Sequence, residues 1–300
     1  MTDGKKILIL GGSGYVGKHF FAALGPDRAI ATYNNTPFPE AVHFNSLTMS
    51  IADIVDDPGK ISHALILLGD TKPDRCAEDE EKSQALNVDS IKAILEHVKR
   101  WGIKPVFAST EVVFDGTKGN YVESDDPNPI IIYGRQKFEI ESYLQRHFGD
   151  YLIARLALIY GSQPGDGTIL TNWLDTIEKR VTTYCAYDYI CSPIHIDDVV
   201  EGLIGLIDAD ANGIFHLSGH KPYSRLEIYR TLLDQVNEYT PTHLEPISCS
   251  MHDFNLREKR PLIVSMKPDK FVKFTGLAIR DVKEVCRTLV KHALEHQPSG

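Results

Sequence analysis

Short apolar runs alternate with stretches of helical period through the first half of the chain. Lys5 to Leu10 (KKILIL) is apolar and passes through a glycine-rich turn into Lys18 to Leu24, which has helical texture. Runs of the same strand type recur at Arg28 to Tyr33, Val42 to Asn45, Ala64 to Leu68, Lys104 to Ser109 and Tyr151 to Leu158. Runs of this length bounded by turn residues predict buried strands. Between the fourth and fifth, Arg75 to Trp101 carries Ala85, Val88, Ile91, Ile94, Leu95 and Val98 on one stripe, which predicts a long helix. A second helix is predicted to carry Tyr133 and Lys137 and to continue through Phe138, Ile140, Glu141, Tyr143 and Leu144. Six strands alternating with helices predict an α/β fold, a Rossmann-type doubly wound parallel sheet.

Beyond Tyr160-Gly161 the pattern loosens. Ser162 to Thr168 is polar and glycine-rich, and Trp173 to Glu178 reads as helical. Ser192 to Val200 returns to a strand-then-helix texture, with His195 read as structural, and Ile214 to Ser218 is a further strand. Helices are predicted for Ser224 to Asn237 and about Ile279 to Glu295, around an irregular segment at 241–267. This texture predicts a smaller C-terminal lobe woven from returning segments, with no clean linker.

The turn after the first strand adds chemistry. Gly11-Gly12-Ser13-Gly14-Tyr15-Val16-Gly17 sets glycines at G-x-x-G-x-x-G spacing between a strand and a helix. Gly11 allows the tight turn, Gly14 lets backbone approach a pyrophosphate, and Gly17 lets the helix pack on the sheet. The helix start offers free N–H groups to phosphate. The alternative is a glycine turn without a ligand; the strand–turn–helix context favours a dinucleotide. The domain expectation is therefore an NAD(P)-binding domain over 1–160, with returning segments at about 190–218. A discontinuous substrate-binding lobe is expected over 161–300, with the ligand between the two.

Cofactor choice is read at the end of the second strand, where Tyr33-Asn34-Asn35-Thr36 holds neither an acid nor an arginine. An acid there would accept from the ribose 2′-hydroxyl. Its absence removes a repulsion against a 2′-phosphate, so either NADP or NAD is expected, with a lean to NADP. Leu68, Gly69 and Asp70 follow the fourth strand, at the edge where cofactor contacts fall.

The fifth strand delivers Ser109, Thr110 and Glu111 to the same edge, and Tyr133 and Lys137 stand four apart on a helix. That spacing puts both side chains on one face. An ammonium near a phenol lowers the phenol's pKa, and such a phenol exchanges a proton with a carbonyl. Thr110 or Ser109 would hold the same oxygen by a hydrogen bond. Asn87, beside the apolar stripe, is either a structural hydrogen-bonding residue or a relay behind the lysine.

Composition narrows the classes. The chain has 300 residues, 42% apolar and 24% charged, ordinary for a globular protein. A net charge of -9 argues against nucleic acid and anionic membrane surfaces as partners. Five cysteines without zinc spacing predict reduced thiols and no metal. No secretory leader precedes Lys5 and no apolar run has membrane-span length, so a cytoplasmic protein is expected.

The string VFDGT from Val113, the acidic Pro-containing loop after it and Y-G-x-x-K at Tyr133 together resemble the extended short-chain dehydrogenase/reductases. The similarity lies with their sugar-nucleotide reductase group, that of dTDP-4-dehydrorhamnose reductase. RLALIYG at Arg155, DYICSPIHIDDV at Asp188, GIFHLSG at Gly213 and KRPLIVSM at Lys259 extend it along nearly the whole chain. The resemblance implies a Thr110–Tyr133–Lys137 site with Asn87 as relay, a nucleotide-sugar substrate, and a homodimer as a compatible assembly. Candidate substrate contacts are Glu111, Asp188 and Arg260. Glu111 and Val112 stand where the reductase pattern has aspartate and tyrosine, a departure on the substrate side. The family also contains NAD-dependent epimerases and a non-catalytic, NADP-binding regulatory subunit, and both remain alternatives to reduction.

Overall fold

The computed structural model describes residues 4–295. Seven parallel strands form the central sheet: β1 (Lys6–Leu10), β2 (Ala29–Tyr33), β3 (Val42–His43), β4 (Ile61–Ile66), β5 (Lys104–Thr110), β6 (Leu152–Leu156) and β7 (Gly213–Leu217). Their spatial order is β3-β2-β1-β4-β5-β6-β7. The order reverses between β1 and β4, and a doubly wound sheet opens its ligand crevice at such a point.

Alternate residues of each strand enter different cores, as a period of two requires. Ile7 and Ile9 of β1 pack with Phe20, Phe21 and Leu24 of α1 (Tyr15–Arg28), while Leu8 and Leu10 face the opposite layer. That layer holds α3 (Ser90–Arg100) and α4 (Ile132–His147), through Ile91, Leu95, Val98, Ile140 and Leu144. Because both faces are covered, β1 from Ile7 and β4 from Ala64 read as continuous apolar runs rather than alternating ones. A third cluster joins α5 (Ile169–Glu178), α7 (Arg225–Asn237) and α8 (Val282–Glu295) and reaches Val112, Ile132 and Tyr133 at the strand edge. Helix α6 (Ile196–Asp208) leads back under the sheet to β7, which pairs with β6.

Three expectations are corrected. The fourth strand runs Ile61–Ile66, so Leu67 and Leu68 belong to the turn beyond it. The third strand is only two residues long. The single helix expected over 75–101 is broken into α2 (Pro73–Glu78), Glu80–Gln84, a π-turn at Ala85–Asp89, and α3. Asp79 restarts the chain by accepting from Lys82 N at 3.0 Å. The wider π-turn helps place Asn87 inside, fully buried. Among the described residues no helix is long and apolar enough to cross a membrane, and no group of three or more His, Cys, Asp or Glu could hold a metal ion.

Candidate active site

The glycine turn is built as its spacing requires. Gly11 has φ +93°, and a Cβ there would stand 2.7 Å from Leu68 N. Gly11 N donates to Thr32 Oγ1 and Ser13 N to Thr32 O, each at 3.1 Å, which ties the turn to β2. A Cβ on Gly17 would lie 2.5 Å from Gly11 O, so α1 packs directly on the turn. Gly12, Gly14 and Val16 complete this wall, and Tyr15 Oη donates to Asp166 Oδ2 at 3.0 Å. Tyr33 and Asn34 sit at the end of β2, Asn34 exposed and the Tyr33 ring 5.4 Å from the ring of His43. The backbone lining is free of Cβ atoms where a diphosphate would approach, so these residues fit a dinucleotide.

Opposite the turn, Gly69 has φ +139° and a Cβ there would stand 2.8 Å from Asn87 Oδ1. Asn87 Oδ1 accepts from Asp70 N at 2.7 Å, and its Nδ2 donates to Asp70 O at 3.0 Å and Gln136 Oε1 at 2.8 Å. Gln136 in turn donates to Ser83 Oγ at 2.8 Å. These bonds pin Gly69-Asp70 to α4. The bonds of Asn87 go to Asp70 backbone, Gln136 and, at 3.6 Å, Cys76 Sγ, and none goes to Lys137.

Ser109, Thr110, Tyr133 and Lys137 converge at the carboxyl end of β5, all buried. Thr110 lies close enough to Tyr133 for its side chain to act on the phenol, and Thr110 Oγ1 accepts from Val112 N at 3.4 Å. Lys137 Nζ donates to Ala108 O at 2.9 Å and lies 4.7 Å from the Phe107 ring centroid and 5.9 Å from that of Tyr133. The expected lowering of the phenol's pKa is not what this environment produces. Burial, then Cys76, hold Tyr133 well above the usual phenol value, with the Thr110 side chain working the other way. Burial also lowers Lys137 to about 8, against Cys76 and Glu141. Loss of hydration disfavours both charged forms, and here it outweighs their mutual attraction. The pair is thus a neutral phenol, competent as a proton donor, beside a lysine that titrates near neutrality.

The substrate-side candidates separate. Glu111 is buried next to Thr110: its Oε1 takes a hydrogen bond from Tyr189 Oη at 3.4 Å, and its Oε2 has no partner. Burial pushes its carboxyl up to about 8, with Arg225 opposing. Asp188 accepts from Ser250 Oγ at 2.6 Å and Met251 N at 2.7 Å, a loop-holding role. Arg260 pairs with Asp74 of α2 at 2.6 Å. Neighbouring Arg257 N donates to the same carboxylate at 2.9 Å, and Glu258 accepts from Ile132 N at 3.1 Å. Residues 257–260 therefore strap α2 to the start of α4. His195 accepts from Asp197 N at 3.2 Å and caps α6, a structural position.

Four residues of this neighbourhood escaped the sequence reading. Gln136 and Cys76 surround Asn87, Tyr189 reaches Glu111, and Glu258 accepts from the first N–H of α4. Only Gln136 carried a sequence signal, as a polar residue beside the buried face of α4.

A 3-2-1 turned 4-5-6-7 sheet, a glycine turn under its first helix and a buried Thr–Tyr–Lys cluster at the strand ends define an extended short-chain dehydrogenase/reductase, the NAD(P)-dependent oxidoreductase class. The chain belongs to the RmlD substrate binding domain family, whose profile matches residues 5–295. It is 25% identical over 293 residues to a dTDP-4-dehydrorhamnose reductase of Sinorhizobium fredii, covering 95% of this chain and 96% of that one. It is 24% identical over 258 residues to methionine adenosyltransferase 2 subunit beta of Bos taurus, covering 82% and 76%. Among solved structures, dTDP-4-dehydrorhamnose reductase of Bacillus anthracis in complex with NADP superposes with a TM-score of 0.77 at 19% identity, covering 96% of this chain and 99% of that one.

Proposed function

We propose that the protein reduces a keto group on a nucleotide-activated sugar with NADPH, and that residues 161–300 supply most of the sugar-nucleotide side of the cleft. The observation that carries this reading is the common burial of Thr110, Tyr133 and Lys137 at the carboxyl end of β5, in a sheet whose first strand ends in the glycine turn. The name and near-complete coverage of the Sinorhizobium relative support the substrate class. NADP is favoured by the Bacillus structure and by the lack of an acid at Tyr33-Asn34.

Gly11 to Gly17 would hold the diphosphate, and Leu68 to Asp70 and Ser109 the remainder of the dinucleotide. A bound nicotinamide supplies the hydride. Thr110 orients the substrate oxygen, and Tyr133, kept neutral by burial, gives it a proton as hydride arrives. Lys137 would hold the ribose of a bound nicotinamide cofactor, and it can reprotonate the phenolate with a proton that it then regains from water. Asn87 acts by fixing Gly69-Asp70. Glu111 sits where a sugar hydroxyl would be read.

The test is a sugar-nucleotide panel followed by loss of NADPH absorbance, with Tyr133→Phe as control. Turnover that drops at least a hundredfold in the Phe variant is expected. Equal turnover by both proteins would remove the proton-donor assignment. A second reading, a regulatory subunit, is favoured by the similarity to methionine adenosyltransferase 2 subunit beta. Stable binding to an adenosyltransferase catalytic subunit, with no turnover of any panel member, would replace the enzymatic reading.

A further inference from the structure

Behind the Tyr133–Lys137 pair lies a fully buried ionic network that the proposed reaction does not use. Glu141, one turn beyond Lys137 on α4, accepts from Ser109 Oγ on β5. Arg155 on β6 grips the same carboxylate, Nε to Oε1 at 3.1 Å and a terminal nitrogen to Oε2 at 2.7 Å. Side-chain exposure is 1% for Arg155 and 0% for Glu141. Arg155 also meets His216 Nε2 at 3.3 Å, and His216 Nδ1 faces Tyr121 O at 3.2 Å. Burial and Arg155 lower His216 to about 3, so it is neutral: Nδ1–H donates to the carbonyl and Nε2 accepts from the guanidinium. The chain of contacts runs from a strand end in the active site, through one anion, to one cation.

A buried ion pair is weak evidence for stability, since packed apolar residues do as well. Its placement here suggests another use. The carboxylate is paired with Arg155, stands one helical turn from Lys137 and anchors the serine that precedes Thr110. The groups acting on Lys137 are Glu141 from its own helix and Cys76 from α2. Of these, Cys76 is pushed up to about 11 by burial and then by Asp70, so it is an uncharged thiol at neutral pH. Glu141 is then the anion that sustains the lysine's charge in a site whose burial opposes it.

We propose that Glu141, held by Arg155, is a positioning residue that fixes Ser109 and keeps Lys137 protonated. The proposal rests on the Tyr133/Lys137 reading above for its effect on turnover, but the lysine's charge can be read without turnover.

Lys137 Nζ is followed by heteronuclear NMR of lysine-labelled protein, with Lys137→Met to assign the signal, and the alkaline limb of kcat is measured in parallel. In Glu141→Gln the titration midpoint moves down by about one pH unit, because an opposite charge is lost. In Arg155→Met it also moves down, because a fully buried carboxylate stripped of its guanidinium takes up a proton and no longer offsets the lysine's burial. Glu141→Asp, which keeps the charge, restores the parent midpoint and also serves if the glutamine variant folds poorly. A structural role alone would not lower the midpoint in the Gln and Met variants while leaving the Asp variant at the parent value. A midpoint that stays put in the Gln or Met variant, or that falls as far in the Asp variant as in the Gln one, overturns the proposal. If the NMR shifts appear while no substrate is turned over, the positioning stands and the reductase reading fails.

Discussion

Gly134 lies against the carbonyl of Val112, so that a Cβ built on it would overlap that oxygen and stand 3.0 Å from Pro129 Cβ. The glycine between Tyr133 and the rest of α4 is there because helix and strand end meet backbone to backbone. This contact sets the distance from Thr110 to Tyr133. Gly134→Ala forces α4 off β5. The expected result is a loss of about 1–3 kcal/mol in stability, as for other overpacked contacts, and at least a tenfold drop in kcat. Thermal melts and NADPH turnover check it; a parent-like variant on both counts would show that the contact does not position the tyrosine.

Asn87→Ala leaves Asp70 N–H and Gln136 without their buried partner. A cost of about 2–3 kcal/mol and a roughly tenfold weaker NADPH affinity follow from the freed Gly69-Asp70 loop. The pH profile of kcat should keep its shape, since Asn87 bonds to backbone, Gln136 and the uncharged Cys76 thiol and not to Lys137. A displaced alkaline limb would instead revive the relay role.

Glu111 gives stability a pH slope. Its ordinary pKa of 4.5 is raised to about 8 in the fold. Across that window the folded protein keeps a proton that the unfolded chain has lost, so this group makes stability fall as pH rises and levels off above the folded value. Glu111→Gln, neutral throughout, should be more stable than the parent near pH 8 by on the order of a few kcal/mol and similar to it near pH 4. Melting temperatures from pH 4 to 9 decide it, and parallel curves for the two proteins would contradict the buried-acid account.

Asp74→Asn removes one anchor of the strap at residues 257–260. Arg260 is buried at that contact while Asp74 is partly exposed, so the loss is modest for the whole fold, about 1 kcal/mol. Local opening should be easier, and trypsin should cut after Arg257 or Lys259 several-fold faster than in the parent. Unchanged cleavage would mean that the Glu258 bond to the start of α4 alone holds the strap.

The α/β class, the glycine turn and the Thr110–Tyr133–Lys137 set were all legible in the chain. Each rests on local order: apolar runs, φ demands at single residues, a four-residue helical spacing. The break at Asp79 and the π-turn were hidden, because the apolar stripe from Ala85 to Val98 reads the same through a π-turn as through a continuous helix. Sequence also determined that a phenol and an ammonium share one face of α4. Only the tertiary structure decided their charge: burial against the core that includes Ile132, Tyr189 and Leu226 removes hydration, and that loss exceeds what the two groups gain from each other. Groups far apart in the chain complete the surroundings, Cys76 from α2 and Arg155 from β6, which holds Glu141, and no spacing along the sequence brings those two to the site.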